Sequence, residues 1–193
     1  MVATNNADFA ETLRRFRNHG ISSEARQGHS AGQWYYEMVL LGFNYRLPDF
    51  ACALGMQQLK RLDANLARRR EIAALYTASL REIPGVVPPP VLPDANPAWH
   101  LYPIRLNLEK LTADRAQVFR ALRAENIGVN VHYIPVHLHP YYKDRFGFRG
   151  GEFPVAEGAY ARLLSLPMFP AMSGQDVNDV IAAVAKVVSV YLR

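Results

Sequence analysis

Leu40-Leu41-Gly42-Phe43-Asn44-Tyr45-Arg46-Leu47-Pro48-Asp49 is the stretch on which the reading of this chain turns. It is apolar and aromatic but follows neither the 3.6-residue period of a helix nor the alternation of a strand, so it reads as irregular backbone. Pro48 and Asp49 are suited to the first turn of a helix, where the missing N–H of proline is harmless and a carboxylate meets the positive end of the helix dipole. Leu59, Leu62 and Leu66, then Ile72, Leu75 or Tyr76, Leu80 and Ile83, continue as one apolar stripe, which predicts a single long helix over 49–83. A helix of that length bridges two structural units. Arg68, Arg69 and Arg70 interrupt its middle and read as a solvated face with extended side chains.

On the N-terminal side, Met1 to Thr4 is β-like, and a lone strand has no stability without a sheet to join. Asn5 and Asn6 are good N-caps for a helix carrying Phe9, Leu13 and Phe16, with Gly20 as its stop. Ile21 to Tyr36 is polar and reads as a long loop, a length usually associated with function or mobility.

On the C-terminal side, residues 84–97 hold six prolines and form a semi-rigid connector. A compact α+β pattern follows. His100–Leu106 is a strand that Pro103 places at an edge or at its start. Thr112 caps a helix with Val118, Phe119, Leu122 and Ile127, ended by Gly128. Val129–Ile134 is a second strand, Pro135–Gly151 a loop rich in histidine, proline and tyrosine, and Ala156–Leu164 a helix. Leu166–Met168 is a short strand. Ser173 and Asp176 form a capping box before a final helix bearing Val177, Val180, Ile181, Val184, Val187 and Val188. The domain organisation predicted is 1–48, a bridging helix 49–83, the connector 84–97 and a small domain 98–193.

The 193 residues suffice for one domain or one and a half, and half of them are apolar, a globular composition. A single cysteine, Cys52, excludes an internal disulfide framework and makes the reducing cytoplasm the expected location. No apolar run is long enough to span a bilayer, and the first residues lack the pattern of a secretory signal, so no membrane partner is expected. The formal net charge is +5, and only four of the 22 cations, Lys60, Lys110, Lys143 and Lys186, are lysine. Arginine pairs bidentately with phosphate and carboxylate, so the bias suits an anionic ligand; a GC-rich genome produces the same bias with no ligand at all. The cations are not striped with aromatics and no nucleic-acid motif is present, so no nucleic-acid partner is expected.

Chemistry-bearing constellations are few. His132, His137 and His139, with His100 upstream, sit in loop sequence without interleaved acids, and no metal site is expected. There is no Gly-x-Ser-x-Gly, no Gly-x-Gly-x-x-Gly and no Walker loop, and Cys52 falls in an apolar helical pattern that predicts a buried, inert thiol. What remains is Asn44, Tyr45 and Arg46. An amide, a phenol and a guanidinium in irregular backbone at a helix start can hold a phosphate; a buried turn is the other reading of the same residues.

Leu41-Gly-Phe-Asn-Tyr-Arg-Leu-Pro-Asp-Phe-Ala-Cys-Ala-Leu-Gly-Met-Gln-Gln-Leu-Lys-Arg-Leu-Asp63 resembles a signature of the DegT/DnrJ/StrS family, the pyridoxal-phosphate nucleotide-sugar aminotransferases of fold type I. Met1 to Asn6, Arg14 to Gly20, Trp99-His-Leu-Tyr102 and Leu164-Ser-Leu-Pro-Met168 resemble further blocks in the family's order. Val131-His-Tyr-Ile-Pro-Val-His-Leu-His-Pro-Tyr-Tyr142 resembles the branch that aminates a UDP-linked 4-keto sugar on the way to pseudaminic acid. The resemblance implies an α/β fold, the C-terminal portion of a fold type I transferase: the end of the large domain, the bridging helix and a small α+β domain. It implies pyridoxal 5'-phosphate as cofactor, glutamate and a nucleotide sugar as substrates, and a homodimer with shared active sites. Asn44 would then reach the phosphate of the cofactor in the other subunit, in trans. Tyr45 and Arg46 would face the sugar diphosphate, and Tyr133, His137 and Tyr141 would line the substrate cleft.

The resemblance also carries a departure. Family enzymes are about twice as long, and their cofactor lysine, stacking aromatic, pyridine-pairing aspartate and glycine-rich phosphate turn lie in the half that precedes the position of Met1. None of the four lysines has the family's lysine context. The expectation is that this chain has no catalytic residue of its own, does not bind the cofactor alone and is inactive alone, acting with a missing N-terminal half. The alternative is a noncatalytic truncated homologue, or a partner subunit that binds a nucleotide sugar or completes another chain's site.

Overall fold

The computed structural model describes residues 2–22 and 36–193, which form two compact units, 1–60 and 61–193. Most of the predicted 21–36 loop lies outside the described residues.

The first unit begins with helix α1, Ala7–Phe16, whose N-cap is Asn6: its side-chain oxygen accepts from the Phe9 N–H at 2.8 Å. Residues 2–4 are not a strand, and no sheet in the described residues offers them a partner. After α1 the chain doubles back, and the 38–45 segment lies against 16–21. The Phe43 N–H donates to the Phe16 carbonyl at 2.7 Å, Tyr45 to Arg17 at 2.9 Å, His19 to Phe43 at 3.0 Å and Val39 to Gly20 at 2.9 Å. Two glycines make this close approach possible. Gly20 sits at φ +69°, and a Cβ on Gly42 would stand 2.2 Å from the Gly20 nitrogen. Phe16, Phe43 and Tyr45 seal the apposition, the last two stacked at 5.2 Å. Helix α2, Asp49–Lys60, completes the unit and buries no residue of its own. Cys52 is therefore exposed, contrary to the inert core thiol predicted from its apolar neighbours.

Helix α3, Leu62–Arg81, opens the second unit. The single helix predicted over 49–83 is thus two helices, interrupted at Arg61. The apolar stripe is continuous in sequence, but only α3 buries part of it, Ile72, Tyr76 and Leu80, together with Ala73. Gly85, at φ +86°, turns the chain into β1, Val86–Val87, which lies inside the proline-rich segment.

The sheet is antiparallel in the order β1-β2-β3, with β2 at Tyr102–Leu106 and β3 at Leu163–Leu166. Val86 pairs with Leu106, and Tyr102 with Leu166. Pro103 therefore occupies the central strand rather than an edge. The register explains why it is tolerated. It faces Ser165, whose N–H and carbonyl both turn away to Asn130, so the proline nitrogen points to the side where β1 has already ended. Beyond β3, the strand predicted over 129–134 shrinks to an isolated bridge at Asn130, whose side-chain oxygen takes up the next N–H, that of Val131.

Helix α4, Arg115–Ala124, is capped by Asp114 in a capping box with Gln117, not by Thr112, whose hydroxyl bonds the Tyr191 carbonyl instead. It ends three residues before Ile127, because Asn126 takes φ +62° and Ile127 N–H returns to the Leu122 carbonyl. The histidine-rich loop contains a 3-10 turn, Val136–Leu138, and α5, Pro140–Phe146. Helix α6, Pro154–Tyr160, is shorter than predicted because the chain already enters β3 at Leu163. Helix α7, Gly174–Tyr191, starts at the predicted Ser173–Asp176 capping box.

Helices α3, α4 and α7 and the inner face of the sheet share one core, centred on Tyr76, Tyr102, Ile104, Leu122, Leu164 and Val184. Burial raises both tyrosine phenols above their ordinary pKa; Tyr76 donates to the Pro167 carbonyl at 3.0 Å, and Tyr102 lies 2.7 Å from the Thr77 hydroxyl.

Candidate functional site

In the first unit the bridge between Asn18 and Asn44 fixes the predicted phosphate-binding segment beside the end of α1. Arg46 Nε donates to Asn44 Oδ1 at 3.0 Å. That one bond orients both groups. Because the amide oxygen is occupied, the two N–H donors of Asn44 face away from Arg46, and the Arg46 Nη groups remain available. Asn44, Tyr45 and Arg46 are all exposed. Tyr45 stacks on Phe43, so its ring belongs to the aromatic seal and its hydroxyl to the surface. Arg46 also borders a concavity of about 370 Å³ whose other walls come from α1 and the residues after it.

In the second unit the three predicted cleft residues have different environments. Tyr133 and Tyr141 are 72 % and 64 % exposed. His137 is only 7 % exposed, packed on Phe153 at 4.6 Å, with Nε2 2.9 Å from Glu157 Oε1. Among the described residues, no hydrogen bond or ring contact joins these three side chains to one another. His132 is bound on both sides: Asn130 Nδ2, which can only donate, lies 3.3 Å from Nε2, so Nδ1 carries the proton toward Ser165 Oγ at 2.9 Å. Among the described residues no cluster of three histidine, cysteine or acidic side chains is placed to hold a metal ion.

Glu157 is the residue that sequence reading misses. Besides His137, its carboxylate accepts from the Gly151 N–H at 2.8 and 2.9 Å and from Phe153 N–H at 3.4 Å. Glu152 accepts from Arg149 and Gly150 N–H at 2.7 and 2.8 Å. The turn they hold contains Gly147, Gly150 and Gly151, all at positive φ. The hydrogen bond from His137 and then that from Gly151 hold the Glu157 carboxyl below the usual glutamate range, and backbone donors do the same for Glu152. Nothing in the spacing of 137 and 157 marks them as partners.

The arginine triple is also different from its predicted solvated face. Arg68 donates to the Met172 carbonyl at 2.6 Å and pairs with Glu71 at 2.7 Å. Arg69 Nη1 donates to the carbonyls of Trp99 and Met168, both at 2.9 Å, and to His100 at 3.4 Å. Only Arg70 is exposed. Arg69 thereby ties together the Trp99–Tyr102 and Leu164–Met168 blocks.

The architecture, α/β with an antiparallel sheet covered by helices, is that of the C-terminal portion of a fold type I transferase. The chain belongs to the DegT/DnrJ/EryC1/StrS aminotransferase family, which it matches over residues 1–185. It is 43 % identical over 190 residues to the spore coat polysaccharide biosynthesis protein SpsC of Bacillus subtilis, covering 97 % of this chain and 49 % of that protein. Among solved structures it resembles Helicobacter pylori PseC, an aminotransferase involved in the biosynthesis of pseudoaminic acid, with TM-score 0.83 and 26 % identity over 97 % of this chain and 48 % of that one. DesV of S. venezuelae gives TM-score 0.79 and 31 % identity over 95 % and 45 % of the two chains. The chain spans about half the length of the relatives it matches. No helix among the described residues is long and apolar enough to cross a membrane.

Proposed function

We propose that this chain forms part of a pyridoxal-phosphate-dependent, cytoplasmic aminotransferase that moves an amino group from glutamate to a 4-keto nucleotide sugar, the UDP-linked sugar of the pseudaminic acid branch being the first substrate to try. In this reading residues 1–48 belong to the large domain, 49–83 to the bridging segment, 84–97 to the connector and 98–193 to the small domain, and the functional particle is a homodimer.

The single observation that supports it is the Asn44–Arg46 pair inside the family signature: an amide whose oxygen is held by Arg46 Nε presents its N–H donors outward, as a phosphate requires. These residues fit the phosphate end of the cofactor, approached from the neighbouring subunit. They do not supply its covalent attachment. Lys186 is engaged by Glu125 at 2.8 Å, and Lys60 and Lys110 are exposed surface residues. When bound, pyridoxal phosphate supplies the electron sink for transamination. Asn44 would orient its phosphate, Arg46 and Tyr45 the sugar diphosphate, and Tyr133 and Tyr141 the sugar. His137, buried against Glu157, would act on Tyr141 through the segment it holds. Lacking an attachment lysine, the chain would be inactive alone and would complete a site whose other residues come from additional polypeptide.

The test is borohydride reduction of the chain with pyridoxal phosphate, followed by peptide mass spectrometry, together with calorimetric titration of UDP-N-acetylglucosamine. The expected result is no stoichiometric lysine adduct, and nucleotide-sugar binding that weakens in Arg46→Ala. A stoichiometric adduct on any of the four lysines, or nucleotide-sugar affinity indifferent to Arg46→Ala, overturns the reading.

A further inference from the structure

The chain leaves the sheet after the Asn130 bridge and returns to it at β3, and residues 136–157 of that excursion do not join the core. They comprise the 3-10 turn Val136–Leu138, α5, the glycine turn and most of α6. Neither helix buries a residue, and no apolar side chain of the segment belongs to the core of the second unit or to the half-buried set packed against it. Among the described residues, every hydrogen bond, ion pair and ring contact the segment makes stays inside it or reaches only the chain that directly flanks it, at Pro135 and at 158–161.

The segment has an interior of its own. Tyr142 stacks on Phe146 at 6.0 Å, Phe146 meets Phe148 at 6.1 Å, Phe148 meets Phe153 at 5.7 Å, and His137 packs on Phe153 at 4.6 Å. The Glu157 carboxylate closes this series of rings, accepting from His137 where the segment begins and from the Gly151 and Phe153 N–H groups near its end. The flanks, by contrast, are tied to the rest of the unit. Asn130 and Ser165 exchange backbone hydrogen bonds at 3.1 and 2.8 Å, and His132 reaches the Ser165 hydroxyl at 2.9 Å. On the return side the Tyr160 carbonyl accepts from Arg115 Nη1, and the Arg115 guanidinium lies 4.5 Å from the Tyr160 ring centroid. Between these anchors and the segment lie only 133–135 and the Gly158–Ala159 step.

We propose that residues 136–157 form a lid that moves as one body on pivots at 133–135 and at Gly158, and that Glu157 is the residue that makes it one body. A segment that shares no core with its support is displaced at the cost of its few contacts, far below the cost of global unfolding. The rings and the carboxylate bind its two ends to each other, so the segment responds as a unit rather than residue by residue. The lid does not depend on the proposed function, but it has a consequence for it. His137 and Tyr141 travel with the lid while Tyr133 stays at its pivot, so the width of a cleft lined by Tyr133 and Tyr141 would follow the position of the lid.

The experiment is solution NMR of the full chain without ligand, reading backbone residual dipolar couplings and hydrogen exchange. The couplings of 136–157 are expected to fit one alignment tensor of their own, smaller in magnitude than the tensor that fits β2, α4 and α7. One tensor fitting both sets means a fixed segment and overturns the proposal; couplings in 136–157 that no single tensor fits mean a floppy loop and overturn it as well. Glu157→Gln removes the charge from the shared hydrogen bonds and is expected to speed exchange of the Tyr142, Lys143, Gly147 and Gly151 amides together by about tenfold, with the amides of β2 and α7 unchanged. Phe146→Ala, which removes one exposed ring from the stack, is expected to speed exchange at Gly151 as well as at Lys143 and Gly147, although no hydrogen bond connects positions 146 and 151. Effects confined to the neighbours of either substitution, or equal effects in β2 and α7, overturn the proposal. No ligand enters these readouts, so their outcome is separate from that of the nucleotide-sugar titration.

Discussion

Replacing Arg69 by alanine tests whether a side chain from an apparently solvated arginine run holds the second unit together. Its Nη1 makes two 2.9 Å bonds, to Trp99 and Met168 carbonyls, and a longer one to His100. A hydrogen bond from a charged donor contributes about 1.5–3 kcal/mol. Arg69 is half-buried, so water reaches part of what alanine would leave behind. Taking the lower end for the two short bonds predicts a loss of about 3 kcal/mol. For a unit of this size that corresponds to a melting temperature lower by roughly 10 °C. Arg69→Lys keeps the charge and one donor direction and should lose about half as much. Arg70→Ala, on the exposed neighbour, should stay within about 0.5 kcal/mol of the parent. The assay is urea unfolding followed by circular dichroism, with native-state hydrogen exchange to locate the change near 99–102 and 166–168. If Arg69→Ala and Arg70→Ala unfold at the same urea concentration, the clamp contributes nothing and the reasoning is refuted.

Two further outcomes follow from the site. Gly42→Ala places a Cβ 2.2 Å from one backbone nitrogen and 2.8 Å from the Phe16 carbonyl oxygen, atoms that cannot move aside as a side chain would. It should cost the first unit about 1–3 kcal/mol, and the amides of His19, Phe43 and Tyr45 should lose hydrogen-exchange protection together; retained protection would contradict the close-approach account. The depressed carboxyls of Glu152 and Glu157 set a pH dependence. Their pKa lies lower in the folded chain than the ordinary 4.5, so the stability they contribute is complete above that value and is lost as pH falls through the lowered folded pKa. The Gly150 and Gly151 amide resonances should therefore titrate below pH 4.5, and Glu157→Gln should remove the Gly151 response; a midpoint at or above 4.5 would be inconsistent with these hydrogen bonds.

Much of the fold was legible because its signals are local. Asn6 and the Ser173–Asp176 box cap their helices as read, since a cap needs only a short polar side chain and the N–H groups two or three residues on. The valines of α7 repeat at helical spacing and are buried accordingly. Where two local signals compete, sequence reading fails. Thr112 and Asp114 are both plausible caps, and the docking of Thr112 on Tyr191 decides between them. Pro103 reads as an edge residue because nothing local reveals that β1 stops two residues short of it.

The residues themselves determined the family signature, the helix starts, the apolar stripes and the supply of arginine, because each depends on neighbours within about one helical turn. Tertiary structure decided what the polar side chains do. Arg69 reaches carbonyls 30 and 99 positions away, His137 meets a carboxylate 20 positions away, and Arg46 joins Arg14 and Arg17 only because the chain reverses between them. Hydrogen bonds and charge clusters act over a few ångströms in space, and no periodicity in a linear chain encodes which distant groups folding will bring within that range.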